Sequence, residues 1–287
     1  MLRTHKEFFG KVSQQTKNTF LPCDIDNFIS NLYLKIYTVD SIIQNHTLYA
    51  FYKLLLTDLE AWKVRRVMGK VKSSSILEEA RVSIGEKSFF PKYLRFCPEC
   101  LHENLNQYGE SYWSRLHNIP GICVCLLHNS YLLESSVLVQ AQNIEYQAAN
   151  LETCRASQKK ALDDQKTLHI LSNFAEEVQR VMNTNFSFKG LAWLRKKYLE
   201  CLTEKSYLKV SKTGKVDFNY QKFTNDFIEY YGVNFLNRIH PLLKDRTEAY
   251  LTHCLLACDI EIKIDRVTHL LLMNFLASSI TNFLSKA

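Results

Sequence analysis

Cysteine and histidine residues with metal-ligand spacing stand out in the middle of the chain. The first pair is Cys97 and Cys100, the second is Cys125 and His128, and two residues separate the members of each pair. This spacing is typical of structural zinc sites, because a tight turn directs both side chains of a pair at one ion. Thiolates and imidazole are ligands that Zn2+ prefers, and four of them complete a tetrahedron. The pattern therefore predicts a structural Zn2+ site with no open position for water.

Cys123 is a second candidate for the ligand that Cys125 supplies. It lies two residues before Cys125, and side chains two residues apart in a strand point to the same face, so both thiols can approach one ion. We favour Cys125 because its two-residue spacing to His128 completes the second pair. Cys123 is then expected to be a buried thiol, since free cysteine is among the most buried residue types.

A further cysteine and histidine group lies nearer the C-terminus, at His253, Cys254 and Cys258. Cys254 and Cys258 are one helical turn apart and share a face, as a second metal site would require. Leucine and alanine residues surround them, however, and cysteine is often buried in apolar helices. This group is therefore predicted to belong to a core helix.

The sequence around the two ligand pairs resembles a known family. It reads RFCPEC from Arg95 and YGESYWSRLHNIPGICVCLLH from Tyr108. This run is similar to the zinc module of the TnsD/TniQ family, whose members select target sites for transposons related to TnsABC systems. The resemblance extends from residue 8 to residue 280 and is softer away from the zinc motif. Family members usually begin with a segment that this chain lacks and continue past its end, so a short or truncated member is expected.

The resemblance implies a function, a cofactor and partners. Members of the family mark a target DNA and recruit the AAA+ regulator TnsC, which then engages the transposase. The chain is thus expected to be a DNA-binding target-site selector that binds double-stranded DNA, a TnsC-like AAA+ ATPase, other transposition proteins and Zn2+. The family position of His117 implies a packed histidine beside the metal. The alternative is a zinc-containing protein-protein scaffold that bridges a targeting complex to the transposition machinery without contacting DNA.

Positive charge is concentrated in two segments of a chain whose formal net charge is +7. Residues 61–95 carry nine lysines and arginines against three glutamates, and residues 189–215 carry eight against two. Basic segments beside a zinc module suit a polyanion such as DNA, although charge runs also occur on solvated surfaces. The predicted DNA contacts are Lys63, Arg65, Arg66, Lys70, Lys72, Arg195, Lys196, Lys197, Lys209, Lys212 and Lys215.

Catalysis is not predicted for this chain. The best cysteine and histidine pairs are assigned to zinc, and the sequence has no G-x4-G-K-[ST] loop for nucleotide phosphates. A nuclease or transposase needs clustered carboxylates, and that signature is not found around Asp163, Asp164, Asp259, Glu261 or Asp265. No apolar run reaches the length that crosses a bilayer, so the protein is expected in the cytoplasm, associated with the nucleoid and not with a membrane.

Composition and periodicity predict a mostly α protein. Glycine and proline are sparse, at 8 and 5 residues, which argues against a turn-rich β fold. We expect a helical region with a helix-turn-helix-like unit at 1–92, a zinc-binding module with short strands at 93–133, a polar connector at 134–165 and a C-terminal helical domain at 166–287.

Individual helices are predicted from apolar residues at three- and four-residue steps. One helix is expected to start at a capping Asp24. A short helix, a turn near Asn45 and a longer helix through Leu59 are expected to follow. In the zinc module, a helix is expected around residues 111–117, and short strands are expected to lead into each ligand pair.

Overall fold

Helices make up most of the part of the chain that the structure describes, which confirms the predicted fold class. The computed structural model describes residues 19–32, 36–70, 76–82, 87, 89–139, 147–155, 165–184, 186–210, 216–239, 251, 254–256 and 264–285. Strands within these residues are short and form two-stranded antiparallel sheets. None of the described helices is both long enough and apolar enough to cross a membrane.

The N-terminal helices start at local hydrogen-bonding signals. They are α1 (Ile25–Ser30), α2 (Val39–His46), α3 (Tyr49–Tyr52), α4 (Asp58–Gly69) and α5 (Ile76–Glu79). At the start of α4, the Thr57 hydroxyl accepts from the Glu60 amide at 3.4 Å, and the Glu60 carboxylate accepts from the Thr57 amide at 2.8 Å. Thr38 and Ser41 make the same reciprocal pair before α2. These capping boxes satisfy amides that the first turn of a helix leaves free.

The longer helix predicted through Leu59 is divided in the structure. α3 ends at Tyr52, and Leu55 has a left-handed φ of 64°, a conformation that a right-handed helix does not contain. The capping box at Thr57 then starts α4 as a new helix. Asp24 occupies the N-cap position of α1 as predicted, but its side chain makes no capping hydrogen bond.

The central part of the chain contains the strands that were predicted before each ligand pair. Its elements are β1 (Tyr93–Phe96), α6 (Pro98–Tyr108), a 3-10 turn (Leu116–Asn118), β2 (Val124–Cys125), β3 (Ser130–Tyr131) and β4 (Leu133–Leu138). β1 pairs with β4, and β2 pairs with β3. The helix expected around residues 111–117 is wrong, because α6 ends at Tyr108 and only the 3-10 turn at Leu116–Asn118 overlaps that stretch. The residue after α6, Gly109, has a φ of +75°. Gly109 supplies the left-handed C-cap that ends many helices.

Part of the predicted connector packs onto the zinc module. β4 begins at Leu133, so the predicted boundary between residues 133 and 134 lies within a strand. Ala149 forms a bridge with Ser111, and the Ser136 amide donates to the Thr153 carbonyl at 2.9 Å. These contacts bring residues 147–154 back against the elements that carry the ligands.

The C-terminal helices enclose one that is buried on all sides. The elements are α7 (Gln165–Asn183), α8 (Leu191–Glu204), β5 (Leu208–Val210), β6 (Val216–Phe218), α9 (Tyr220–Tyr231), α10 (Val233–Ile239), α11 (Arg266–Ala277) and α12 (Ile280–Ser285). Every residue of 266–276 is buried. Most of these residues are apolar, and a helix with apolar side chains on all sides belongs in a core. Its buried polar residues include Arg266 and His269. Asp265 starts it by accepting from the Thr268 amide at 3.2 Å.

The buried helix α11 also joins the N-terminal and C-terminal parts of the chain. Arg266 is fully buried, and its guanidinium donates to the Tyr52 carbonyl at 2.9 Å and to the Ala80 carbonyl at 2.5 Å. On the zinc-module side, a Cβ at Gly121 would lie only 2.9 Å from Val267, so that turn packs directly on α11. The hydrophobic core consequently runs from Phe20 through the module to Phe283.

Candidate metal centre

The first ligand pair is carried by the start of α6. β1 leads into Cys97, which is the N-cap residue of α6, and Cys100 follows in the first turn. Pro98 favours this start, because its fixed φ suits the first helical position and it has no amide to leave unpaired. Side chains three residues apart on a helix lie on the same side, and a helix N-terminus stabilises thiolate charge. The local fold therefore directs both sulfur atoms to one point.

The second ligand pair lies on the turn between β2 and β3. Cys125 ends β2, and His128 lies in the turn that follows. Asn129 closes the turn with a φ of 45°, a conformation that asparagine tolerates better than most residues. The pKa of Cys125 lies below its ordinary value, because the Cys97 thiol and the backbone amides of His128 and Leu127 hydrogen-bond to its sulfur.

The four predicted ligand atoms meet at one point. His128 Nδ1 lies 3.5 Å from the sulfur of Cys97, 3.3 Å from that of Cys100 and 3.7 Å from that of Cys125. The sulfur atoms of Cys100 and Cys125 are 3.6 Å apart, and all four ligand atoms lie within 4.8 Å of one another. A tetrahedron with Zn–S bonds of ~2.3 Å and a Zn–N bond of ~2.0 Å has edges of roughly 3.5 to 3.8 Å. The group can therefore hold a metal ion, and its donors and dimensions fit Zn2+.

Two carboxylates on α6 form hydrogen bonds with the ligand residues and orient them. Glu103 Oε1 lies 3.0 Å from His128 Nε2, so the imidazole presents Nδ1 to the thiols, and this hydrogen bond raises the pKa of His128. Glu99 lies 3.0 Å from the Cys97 sulfur and accepts from the Ser130 hydroxyl at 3.3 Å. Sequence reasoning did not assign these roles. The available signal was position, since Glu99 lies inside the first pair and Glu103 follows one turn later.

Metal binding at this site must compete with protons. Burial raises the pKa of Cys100 to about 11, and the hydrogen bond with Cys125 holds the pKa of Cys97 well above its ordinary range. Because the thiolate is the form that ligates, a bound metal has to displace these protons. Metal affinity is consequently expected to fall as the pH falls. The closed set of three thiols and one imidazole suits a structural role.

Cys123 and His117 lie near the ligand pairs in sequence, but their side chains contact other groups. The sulfur of Cys123 lies 3.9 Å from the carbonyls of Gly121 and Arg238, so its thiol is directed toward α10. His117 is buried in the 3-10 turn, and burial lowers its pKa to about 4, which keeps it neutral at pH 7. Among the described residues, neither belongs to the group of ligand atoms that could surround one ion.

The other residues considered for chemistry lie in the core or outside the described chain. Cys254 is buried in a helical segment, whereas His253 and Cys258 lie outside the described residues. Asp265 is engaged at the start of α11, where its carboxylate also accepts from the Thr268 hydroxyl at 3.1 Å. The remaining acidic residues that were considered lie outside the described chain: Asp163, Asp164, Asp259 and Glu261.

Arg95 braces the loop between the two ligand pairs. Its guanidinium donates to the carbonyls of Ile119, at 2.8 Å, and Ile122, while its backbone amide donates to Asn118 Oδ1 at 2.9 Å. Asn118 Nδ2 also donates to the Ser114 carbonyl at 2.9 Å. Arg95 was counted in the first basic segment. In the structure its guanidinium points into the protein, where it binds carbonyls that lie more than twenty residues away in sequence.

The predicted DNA contacts are placed on two helices and a strand. On α4, Lys63 and Arg66 are exposed, and Arg65 forms an ion pair with Asp40. Lys70 is exposed at the C-cap position, directly after α4. On α8 and β5, Arg195, Lys196 and Lys209 are exposed, and Lys197 Nζ lies 3.7 Å from the Glu200 carboxylate. The other predicted contacts lie outside the described residues: Lys72, Lys212 and Lys215.

Comparison with known proteins accounts for both parts of the chain. A family model described as TniQ matches residues 3–132, which include the N-terminal helices and all four ligand residues. A second, described as TnsD, Tn7-like transposition protein D, matches residues 174–287, which include the C-terminal helices. A search of curated proteins gave no match. Since the two matches follow one another and together span most of the sequence, the chain belongs to the TnsD/TniQ family of Tn7-like transposition proteins, which act in target-site selection.

Proposed function

We propose that this protein is a DNA-binding target-site selector of a Tn7-like transposition system. In this role it recruits a TnsC-like AAA+ ATPase and other transposition proteins to double-stranded DNA, and Zn2+ at Cys97, Cys100, Cys125 and His128 holds the module in shape. Membership of the family supports the targeting role. The single observation that carries the DNA contact is an exposed cationic face on α4.

The face of α4 is built by its three- and four-residue steps. Lys63 and Arg66 are exposed on one side of the helix, whereas Val64 and Val67 are buried on the other. The exposed Lys70 is the C-cap residue, directly after Gly69. Trp62 is 49% exposed beside them, and the Arg66 guanidinium lies 5.3 Å from the centre of its ring. Exposed cations that follow one another along a helix and its end can contact several phosphates of one duplex.

The second basic segment starts next to the first. The Ser187 hydroxyl donates to the Asp58 carboxylate at 2.9 Å, and a Cβ at Gly190 would lie 3.9 Å from the Thr57 methyl group. These contacts join the start of α4 to the chain just before α8, which carries the exposed Arg195 and Lys196. The two cationic helices therefore begin side by side, as one DNA surface would require.

The test is charge reversal on α4. The triple variant Lys63→Glu, Arg66→Glu and Lys70→Glu should abolish duplex binding, because it replaces cations that contact phosphates with anions that repel them. Each phosphate contact that is lost should also make the slope of log K against log salt concentration shallower by about 0.9. Fluorescence anisotropy with a labelled duplex, measured over a range of salt concentrations, gives both affinity and slope. Zinc content and helicity should stay at the wild-type values.

A matched control separates a specific surface from net charge alone. Lys87→Glu, Lys92→Glu and Lys166→Glu change the net charge equally at exposed positions outside α4 and α8, and should leave most of the affinity intact. An equal loss of duplex affinity in both triple variants would mean that binding depends on the net charge of the protein and not on a surface at α4. Full binding by the α4 triple would refute α4 as the contact. An absence of salt-dependent binding in the wild type would favour the scaffold alternative.

A further inference from the structure

Large apolar side chains are exposed around the metal centre. Leu127, at the tip of the turn between Cys125 and His128, is 84% exposed. Tyr112 is 67% exposed and Tyr108 is 63% exposed. Scattered exposed apolar groups are ordinary, but large ones grouped on a small module often mark contact with another molecule.

These side chains are brought to the same part of the module by contacts of α6. The bond between Glu103 and His128, at 3.0 Å, places α6 alongside the turn that carries Leu127. The Asn104 side chain donates to the Ser111 hydroxyl at 3.3 Å, which folds the following segment back onto α6, one turn from Tyr108. Because Glu103 and Asn104 are neighbours on α6, these two bonds bring the segments that carry Leu127 and Tyr112 to the same part of the helix. We name this surface the module face and define it by Glu103, Tyr112 and Leu127.

The module face is negatively charged. Between Phe96 and Ser114 the sequence contains three glutamates, at 99, 103 and 110, and neither lysine nor arginine. Three thiolates around one Zn2+ would add a further net charge of about −1. The face is thus opposite in sign to the exposed side of α4.

Three arginines that pack on the module contact groups other than this face. Arg95 donates to the carbonyls of Ile119 and Ile122, and Arg115 donates to the Gln44 carbonyl at 2.5 Å. Arg238 lies 4.4 Å from the ring of Tyr131. Tyr131 follows Ser130 in β3 and points to the opposite side of the strand from the Ser130 hydroxyl, which reaches Glu99.

We propose that the module face docks a lysine- and arginine-rich segment of a partner protein that also carries apolar side chains. Exposed tyrosine and leucine supply apolar anchors, and the surrounding carboxylates select a cationic partner. The same charge repels DNA phosphates, so the module face and α4 contact different molecules. The inference goes beyond the proposed DNA contact and does not depend on it.

The test uses a synthetic helical peptide of lysine and leucine as the probe, with the full-length, zinc-loaded protein. The labelled peptide should bind the wild type, and Leu127→Ser with Tyr112→Ser should weaken binding about tenfold or more. Two further peptides separate the contribution of charge from that of the apolar anchors. Replacing lysine by glutamate should abolish binding through charge, and replacing leucine by serine should weaken it through loss of the anchors.

The matched control variant is Tyr230→Ser with Val233→Ser, which removes exposed apolar groups from α9 and α10 and should bind the peptide as the wild type does. Unchanged peptide binding by the module variant, or equal binding of the glutamate peptide, would overturn the proposal. Weaker duplex binding by the module variant would also overturn it, because the face would then contact DNA. The peptide assay contains no DNA, so its failure leaves the α4 proposal separately testable.

Discussion

The zinc module and the core around α11 are held together in different ways. In α11, Phe275 lies among aromatic rings of α9, with ring centres 5.5 Å from Phe223 and 5.3 Å from Phe227. Every residue of 266–276 is buried. The separate apolar cluster of the module, within the described chain, is much smaller and contains four buried residues: Phe96, Leu101, Ala149 and Cys154.

This difference indicates what each region requires in order to fold. At the ligand end of the module, a cluster of four buried residues offers little apolar area to offset the conformational entropy of an ordered chain, and small modules commonly rely on a metal. The opposite side of the module, with Ile122 and Val124, belongs to the main core. The core around α11 buries large side chains over a long helix and gains stability from apolar area at about 25 cal/mol per Å2. Metal loss should therefore disrupt the module first, and polar changes in the core should destabilise the whole chain.

Loss of a ligand should have the largest effect and should be local. Cys97→Ser is expected to release the metal and unfold the module, because structural zinc contributes about 10 kcal/mol or more in peptide systems. Metal analysis should fall from one zinc per chain to none, and limited proteolysis should cut first within residues 93–139. Cys123→Ser is the matched control and should keep its zinc. Full zinc occupancy in Cys97→Ser would contradict the ligand assignment, and global loss of helicity would contradict the contrast between the regions.

Arg266 tests whether the core joins the two ends of the chain. Arg266→Met keeps an apolar stem of similar length but removes the donors to the Tyr52 and Ala80 carbonyls. Leaving two buried acceptors unpaired should lower the free energy of unfolding by about 3 kcal/mol. Urea unfolding of the zinc-loaded protein measures this. Lys196→Met, at an exposed position of α8, should change stability by less than about 0.5 kcal/mol. Equal stability of the two variants would refute the role of Arg266.

His269 should have the smallest effect of the three, and this effect should appear as a pH dependence of the free energy of unfolding. Burial lowers the pKa of His269 to about 3, and its Nδ1 lies 2.9 Å from the Tyr198 hydroxyl. The unfolded chain protonates this residue near pH ~6.5, so acidification below that value favours unfolding by up to about 1.4 kcal/mol per pH unit. His269→Gln should be less stable at neutral pH, yet its stability should fall less steeply with acid.

The slope attributed to His269 has its own control. Urea unfolding of zinc-loaded protein from about pH 7 to about pH 5 should give parallel slopes for the wild type and Tyr198→Phe, which loses the hydroxyl but keeps the histidine. Thiol protonation in the module contributes equally to all three proteins. A slope in His269→Gln as steep as that of the wild type would assign the acid sensitivity to the module alone.

Much of the local structure was predictable from the sequence. The two members of each ligand pair are separated by two residues, so one turn of backbone decides their geometry and the spacing alone indicates it. The strands before each pair and the mostly helical composition follow from equally short patterns. The break between α3 and α4 was missed because Leu54, Leu55 and Leu56 are all buried, and apolar spacing continues across it.

The directions of charged side chains were decided by tertiary structure. Arg95 and Lys63 belong to the same basic segment, yet Arg95 faces carbonyls of the loop at 119–122 whereas Lys63 faces solvent. Arg266 is likewise polar in sequence and fully buried in the fold. A long cationic side chain turns inward only where distant segments supply acceptors that replace water. Since those acceptors come from segments brought together by folding, composition predicted how much charge the chain carries, and the fold determined which surface displays it.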